Sequence, residues 1–587
     1  MKKYIILIFS LVLTFNAVDG QIIDTARLRL DFKPQILNFQ KINQKAIIND
    51  TVSPKVDFDY YITAQREDVT FEPATIKAEK MPADVMKRLY RDFLKVGFGY
   101  PLTPLAELSI HNPDNRKYSY GLNFHHFSSW APQIGKNMQK YAYAPTSDTK
   151  TLLFFNRFFK NQTLYSSVGY NHELSKLYGL NSDTLTPQQV EYYTGPKYSD
   201  TLDNSFHHLK AELGFRSNFI LEDKKLKQDA RVNYDFLYTH AKDMENHIGL
   251  NAFFAYDARF MKISGSQNYR LDLDVDYYNN SWADTMLGMK RIDNSVKIDV
   301  KPTVQFTIKE YHLLFGLGIP IVNNYGETKV PVYPIGEIQL GIIPGILTIY
   351  AGVDGGVQYN SLKNMLYENP YLKPHLDTLQ FTKTRISING GIKGNLVKKL
   401  NYHISARYSY ENNMHFFMLD TASLLKNQFD VRYADGNKLN VCFNLNWEVL
   451  DHLYLNLDAN YWGYYFLEGV DYAWYKPSFQ VAFSGKYTIK SKYIIGLNLD
   501  IEFDRWALIP NSVSGIYEAK KMSPILDFGV GFEYIITPQF SAFANINNLA
   551  CQNYAKYYDF KNFGINILAG ITYSFGDESL KVKKTKK

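Results

Sequence analysis

Residues 493 to 504 read Tyr-Ile-Ile-Gly-Leu-Asn-Leu-Asp-Ile-Glu-Phe-Asp, and the parity of this run decides the fold. Tyr493, Ile495, Leu497, Leu499, Ile501 and Phe503 hold one parity, while Asn498, Asp500, Glu502 and Asp504 hold the other. Side chains alternate between faces along a strand, so the run is a strand with one apolar and one charged face. It is longer than an ordinary strand of about five or six residues and matches a tilted bilayer crossing of about 9–11. Leu453, Leu455, Leu457, Ala459 and Tyr461 alternate in the same way with Tyr454, Asn456, Asp458 and Asn460. So do Leu400, Tyr402, Ile404, Ala406, Tyr408 and Tyr410 with Asn401, His403, Ser405, Arg407 and Glu411.

The polar parity is often charged. Arg270, Asp272, Asp274 and Asp276 alternate with Tyr269, Leu271, Leu273, Val275 and Tyr277. Burying unpaired carboxylates is costly, so this parity must face water or a hydrated, ion-paired lumen, and the apolar parity faces lipid. That is the pattern of an all-β transmembrane antiparallel barrel, with tyrosines near the strand ends as the interfacial girdle. Segments of this kind recur 22 times between residues 93 and 575, an even number as a single-chain barrel requires, with 20 as the alternative count. Connections are tight at 160–162, 398 and 537–539, and long at 131–150, 179–204, 361–382 and 414–435. The short turns are expected at the periplasmic rim and the long loops outside.

Composition agrees. The 587 residues are 45% apolar and 21% charged, with 46 Tyr and 39 Phe. This is too hydrophobic for a disordered polymer and lacks the repeated apolar runs of about 20 residues that a helical membrane protein needs. Residues 1–20, with Lys2, Lys3 and the apolar stretch Tyr4 to Phe15, form a signal peptide too short to span a bilayer, so the mature chain is expected to leave the cytoplasm for the outer membrane. Residues 21–92 form a leader with an extended stretch from Val56 to Thr63 and a short helix opening at Pro82, placing Val85, Leu89, Tyr90 and Phe93 at helical spacing. It is either a minimal plug or docking element, or a simple cap on the barrel mouth. The barrel is assigned to 93–575, and 576–587 to a basic, solvated periplasmic tail. Cys442 and Cys551 leave room for one disulfide that a hydrogen-bonded barrel does not need.

The lumen is expected to be lined by Arg231, Asn233, Asp235, Arg270, Asp272, Asp274, Asp276, Lys297, Asp299 and Lys301, the lysines facing the aspartates across neighbouring strands. The three alternating aspartates imitate the opening of a calcium loop, but Tyr277 stands where that loop needs glycine, and a strand sets the carboxylates in a line. The pairs His125-His126 and His207-His208 invite a zinc, haem or Ser/His reading. Adjacent strand residues face opposite sides, so one His of each pair at most reaches the lumen, and no carboxylate completes a triad. No metal, cofactor, catalytic residue or nucleic-acid partner is expected. The dipeptide Asp-Thr followed by a small or aliphatic residue occurs seven times, at Thr25, Thr51, Thr184, Thr201, Thr285, Thr378 and Thr421, all in the leader or in outer loops. It resembles the acceptor of a general bacterial O-glycosylation system, and it is equally good turn chemistry.

Lys95-Val-Gly-Phe-Gly-Tyr100 with Leu102-Thr-Pro104, and Phe543-Ala-Asn-Ile-Asn-Asn-Leu549 with Tyr554, resemble the first hairpin and a late strand of TonB-dependent receptors. The resemblance covers residues 93–575 and implies a receptor or channel for a polar solute. It stops at the N-terminus, where the 72 residues of 21–92 are about half a plug domain and carry no TonB-box motif. The alternative is a non-transporting barrel that serves as an accessory subunit of an outer-membrane assembly or secretion complex. The closing strand ends on Tyr573 and Phe575, an aromatic finish that outer-membrane assembly machinery recognises. Expected partners are therefore outer-membrane lipid, that machinery, and periplasmic or outer-membrane proteins.

Overall fold

The computed structural model describes residues 90–112, 117–134, 140–180, 202–218, 226–261, 265–283, 290–397, 399–423, 425–510, 517–562 and 564–577, with Thr186 and Gln188. Twenty-two antiparallel strands, each paired with its sequence neighbour, form one sheet that closes on itself. At the seam, Tyr90–Tyr100 pairs with Asn566–Asp577, placing Leu94 opposite Tyr573 and Asp92 opposite Phe575. Gly97 faces Gly570 there, and a Cβ on Gly570 would lie 2.1 Å from the Val96 carbonyl oxygen, so closure at this register requires glycine. Closure removes every sheet edge, the condition for a sheet in lipid.

The outer face carries the apolar parity. Val232, Ile248, Leu271, Phe315, Leu497 and Phe532 are all exposed, at positions where a soluble sheet would bury or avoid them. Tyr118, Tyr311, Tyr487, Tyr493 and Tyr573 are exposed at the short-turn rim and form its aromatic girdle. The opposite rim carries the long connections. Strands such as Leu400–Leu419 and Phe429–Leu450 are far longer than a crossing needs, so their outer ends rise above the lipid.

Four expectations need correction. Tyr90 and Phe93 belong to the first strand, not to a helix, because Tyr90 pairs with Asp577 and Phe93 with Ser574. The barrel therefore spans 90–577, three residues earlier and two later than the alternation suggested. The supposed loop 131–150 is mostly strand, Tyr118–Ile134 pairing with Lys140–Phe158. The loop 414–435 shrinks to 420–428 because both flanking strands continue. The signal peptide, the rest of the leader and residues 578–587 lie outside the described residues. Neither Cys442 nor Cys551 forms a disulfide.

Candidate functional site: the outer mouth of the barrel

Inside the barrel, register builds the charge ladder. Strands Ser266–Ala283 and Lys290–Ile308 pair so that Asp276 faces Lys297, Asp274 faces Asp299 and Asp272 faces Lys301. Lys297 reaches Asp276 at 2.7 Å. Asp274 and Asp299 are like charges set directly opposite, which is unfavourable, and Lys301 relieves it by bridging both at 3.2 and 3.0 Å. Arg231 donates to Asn251, which donates to Asp274. Asn233 donates to Asp235, and Arg270 reaches Asn268 and Gln305. Among the described residues Asp272 has Lys301 directly opposite it on the neighbouring strand.

The histidine pairs divide by parity. His208 points inward to Asp235 at 2.8 Å, while His207 lies beside Tyr170 and stacks on His172 on the lipid-facing side. His125 approaches Glu107, and His126 bonds Thr149 on the other face. Among the described residues no group of three or more His, Cys, Asp or Glu side chains could hold a metal ion.

The interior is polar midway, yet its outer end holds the larger apolar cluster among the described residues. The connection 360–380 folds inward and carries a short helix, Leu362–Glu368. Ser361 caps it by accepting from the Asn364 N–H, and Leu362, Met365 and Leu366 put one face into the cluster. Around that face gather Phe206, Leu237, Trp282, Tyr359, Phe381 and Phe416 from strand ends, with Trp474, Ile509, Tyr557 and Phe560 from other outer connections. Loops from several sides thus meet on one element.

The helix is tied to walls on both sides. On one, Glu245 is almost wholly buried and accepts from the Leu362 N–H at 2.7 Å, a carboxylate on the positive end of the helix. Lys363 pairs with Asp235 at 3.1 Å, and one turn on, Tyr367 meets His208 at 3.0 Å. His247 sits between Asp235 at 3.1 Å and Asp276 at 2.9 Å. Both its ring nitrogens face carboxylate oxygens. On the other wall, Glu368 accepts from His415 at 2.7 Å and pairs with Lys476, and Tyr557 donates to the Glu368 carbonyl at 2.7 Å. Burial pushes the Glu368 carboxyl up, but the His415 bond and the Lys476 ammonium override it and hold it at about 2. Burial lowers Lys476, with Lys438 and Lys556 adding to the effect and Glu368 opposing it.

Asp235, Asp276 and Lys297 were expected in the lumen, and the fold gathers them into one network. Sequence reasoning missed Glu245, Lys363, Tyr367, Glu368, His415 and Lys476. The helix left a local signal: Ser361, then apolar residues at 362, 365 and 366, then Pro370. Of the Asp-Thr positions, Thr378 and Thr421 are exposed in outer connections; Thr25, Thr51, Thr184, Thr201 and Thr285 lie outside the described residues.

The chain has the fold of the TonB-dependent receptors. It is similar to the pyoverdine outer membrane receptor FpvA from Pseudomonas aeruginosa PAO1, solved bound to pyoverdine, with a TM-score of 0.63 and 10% identity over 83% of this chain and 79% of that one. It is similar to the FrpB iron transporter from Neisseria meningitidis, with a TM-score of 0.60 and 10% identity over 83% and 82%. The copper transporter OprC gives 0.57 and 12% over 85% and 82%. These neighbours are receptors and transporters, not enzymes. No protein-family model matches the chain. No curated protein matches it either.

Proposed function

We propose that the protein is an outer-membrane receptor or channel that admits a polar solute through its barrel. The observation that carries the reading is the ladder of paired charges on the inner wall, from Arg231 and Asp235 through Asp276 and Lys297 to Asp299 and Lys301, inside a barrel of receptor fold. Such a wall hydrates and orients a polar solute and repels an apolar one. Export by residues 1–20 and a lumenal or docking role for residues 21–89 belong to the same proposal, as do insertion through Tyr573 and Phe575 and a partnership with outer-membrane lipid and the assembly machinery.

A second reading has its own support. The outer mouth is filled by buried contacts to both walls, and an accessory subunit of an assembly or secretion complex needs no conduction. Single-channel recording on the mature protein in a planar bilayer, with and without residues 21–89, separates the two. Solute-dependent current in the intact protein or after the deletion supports the receptor. Silence in both forms, together with co-purification of large partners, refutes it in favour of the accessory role.

A further inference from the structure

We propose that the inner wall built by the strands Phe429–Leu450 and Leu453–Glu468 and their neighbours is a binding track for a neutral, polyhydroxylated solute of the oligosaccharide class. The inference rests on the receptor reading and names the class of solute that the lumen takes.

The inward parity of one strand lays out the track. Along Leu453–Glu468 it reads Tyr454, Asn456, Asp458, Asn460 and Trp462, an aromatic ring at either end of a run of short polar side chains. At about 3.4 Å per residue the two rings stand about 27 Å apart along the strand. The preceding strand sets Asn440, Cys442, Asn444 and Asn446 opposite them in register. Asn456 donates to Asn446 at 2.6 Å, Asn444 to Asp458 at 2.9 Å, and the Cys442 thiol to Asn460 at 2.9 Å. Towards the short-turn rim the amides continue sideways: Asn401, Asn446, Asn456, Ser484 and Asn498 stand in direct register on successive strands.

This row borders a recess of about 790 Å³, which Tyr454 also lines. The wall hollows there because Gly496 faces Gly531, and a Cβ on Gly496 would find its nearest neighbour 4.0 Å away. The missing side chain is therefore space and not relief of a clash. The volume falls within the range of about 300–1,000 Å³ that encloses a small organic ligand, enough for a few sugar rings.

The chemistry of the wall selects the occupant. An asparagine amide offers two donors and two acceptor lone pairs, and a sugar hydroxyl is likewise donor and acceptor, so the two match without an ion. Asn401, Ser484 and Asn498 have no side-chain hydrogen bond among the described residues, which leaves their groups for a solute. A charged solute would need an unmatched counter-charge, and the wall offers none in excess. Across the lumen Lys297, Lys301 and Lys363 are already paired with aspartates. Beside the recess Lys399 pairs with Glu448 at 3.1 Å and Lys95 with Glu107 at 3.5 Å, and Lys486 shares the recess with Glu533. Water satisfies amides as well as a hydroxyl does, so the preference for sugar comes from its C–H faces. Tyr454, 42% exposed, and Trp462, on the wall of the outer cavity, are placed to cover them.

The test is saturation-transfer NMR on the full chain in phosphatidylcholine nanodiscs, with maltopentaose, cellopentaose and laminaripentaose as probes and pentagalacturonate as the charged counterpart. Saturable binding of at least one neutral probe is expected, with pentagalacturonate weaker. Asn446→Leu with Asn456→Leu removes two side chains that bond each other, so neither partner is left stranded, and should weaken binding by about tenfold. Tyr454→Ala, at an exposed side chain where folding is not at stake, should weaken it by about fivefold. Heat-modifiable migration on gels verifies that each variant barrel is folded. Absence of saturable binding by all three neutral probes, undiminished binding in the folded variants, or pentagalacturonate bound as tightly as the neutral sugars each overturns the proposal. The readout is an equilibrium that needs no passage. Sugar held by a barrel that conducts nothing sinks only the receptor reading, and solute current through a barrel that holds no sugar sinks only the track.

Discussion

Replacing Glu245 with alanine removes the acceptor of the first N–H of the helix Leu362–Glu368. Glu245 is 1% exposed, its Oε2 lies 2.7 Å from the Leu362 nitrogen, and the Lys363 N–H approaches its Oε1 at 3.4 Å. Water cannot readily take its place, so the substitution leaves a buried donor unsatisfied, at a cost of about 1–3 kcal/mol. Loss of a negative charge at the positive end of the helix adds about 0.3–1 kcal/mol. A total of about 1–4 kcal/mol should fall on the connection 360–380, because the strand Met244–Asp257 that carries Glu245 keeps its ladders to both neighbours. The assay is hydrogen exchange by mass spectrometry on the folded barrel in lipid. Protection across 362–369 should fall by about 10- to 1000-fold, at about 1.4 kcal/mol per factor of ten, while the strands Leu226–Thr239 and Ser266–Ala283 stay protected. A fall of less than about threefold in the helix, or an equal fall throughout the barrel, would refute the reasoning, since either outcome means that Glu245 does not hold the helix separately.

The Glu368 carboxyl, held at about 2 against an ordinary 4.5, should titrate well below a free glutamate. Because its folded value is depressed, its contribution is complete above about pH 4.5 and is lost as pH falls through about 2; with the side chain a third exposed, that contribution is about 1 kcal/mol. A carbon-13 titration midpoint above pH 4 would contradict the ion pair with Lys476. Trp282→Ala empties a site 2% exposed and removes the indole N–H that Asp293 accepts at 2.6 Å, leaving it paired, among the described residues, with Arg291 alone; the unfolding midpoint in urea should drop by the equivalent of about 3–5 kcal/mol, and a loss under about 1 would show that the cluster relaxes around the gap. Thr378 and Thr421 should carry glycan if the Asp-Thr pattern is an acceptor, so an intact-mass measurement on the native protein should fall by one glycan unit for each Thr→Ala change. An unchanged mass leaves only the turn role.

The barrel was legible because lipid imposes a local rule. Each residue of a crossing strand meets either hydrocarbon or lumen, so Leu271 against Asp272 or Leu499 against Asp500 can be read with no knowledge of their neighbours. Strand ends were less legible where strands leave the lipid. Above the membrane the apolar parity is no longer enforced, and the stretches 131–134 and 429–435 read as loop although they pair as strand. The helix at 90–93 was misread because Tyr90 and Phe93 fit a period of three as well as they fit the seam, and only the pairing with Asp577 and Ser574 arbitrates.

The mouth was a different kind of problem. Glu245 and Lys363 are 118 residues apart in sequence, and Glu368 and Lys476 are 108 apart. No period or spacing connects such pairs, since their contact follows from which strands lie across the lumen and from an outer connection turning inward. Sequence alone determined the barrel, its strand number and the charged inner face, because those properties are written residue by residue in strand parity. Only the tertiary structure decided that an outer connection packs across the mouth and which charges hold it, because those contacts join distant walls, which become neighbours only when the sheet has joined its own ends.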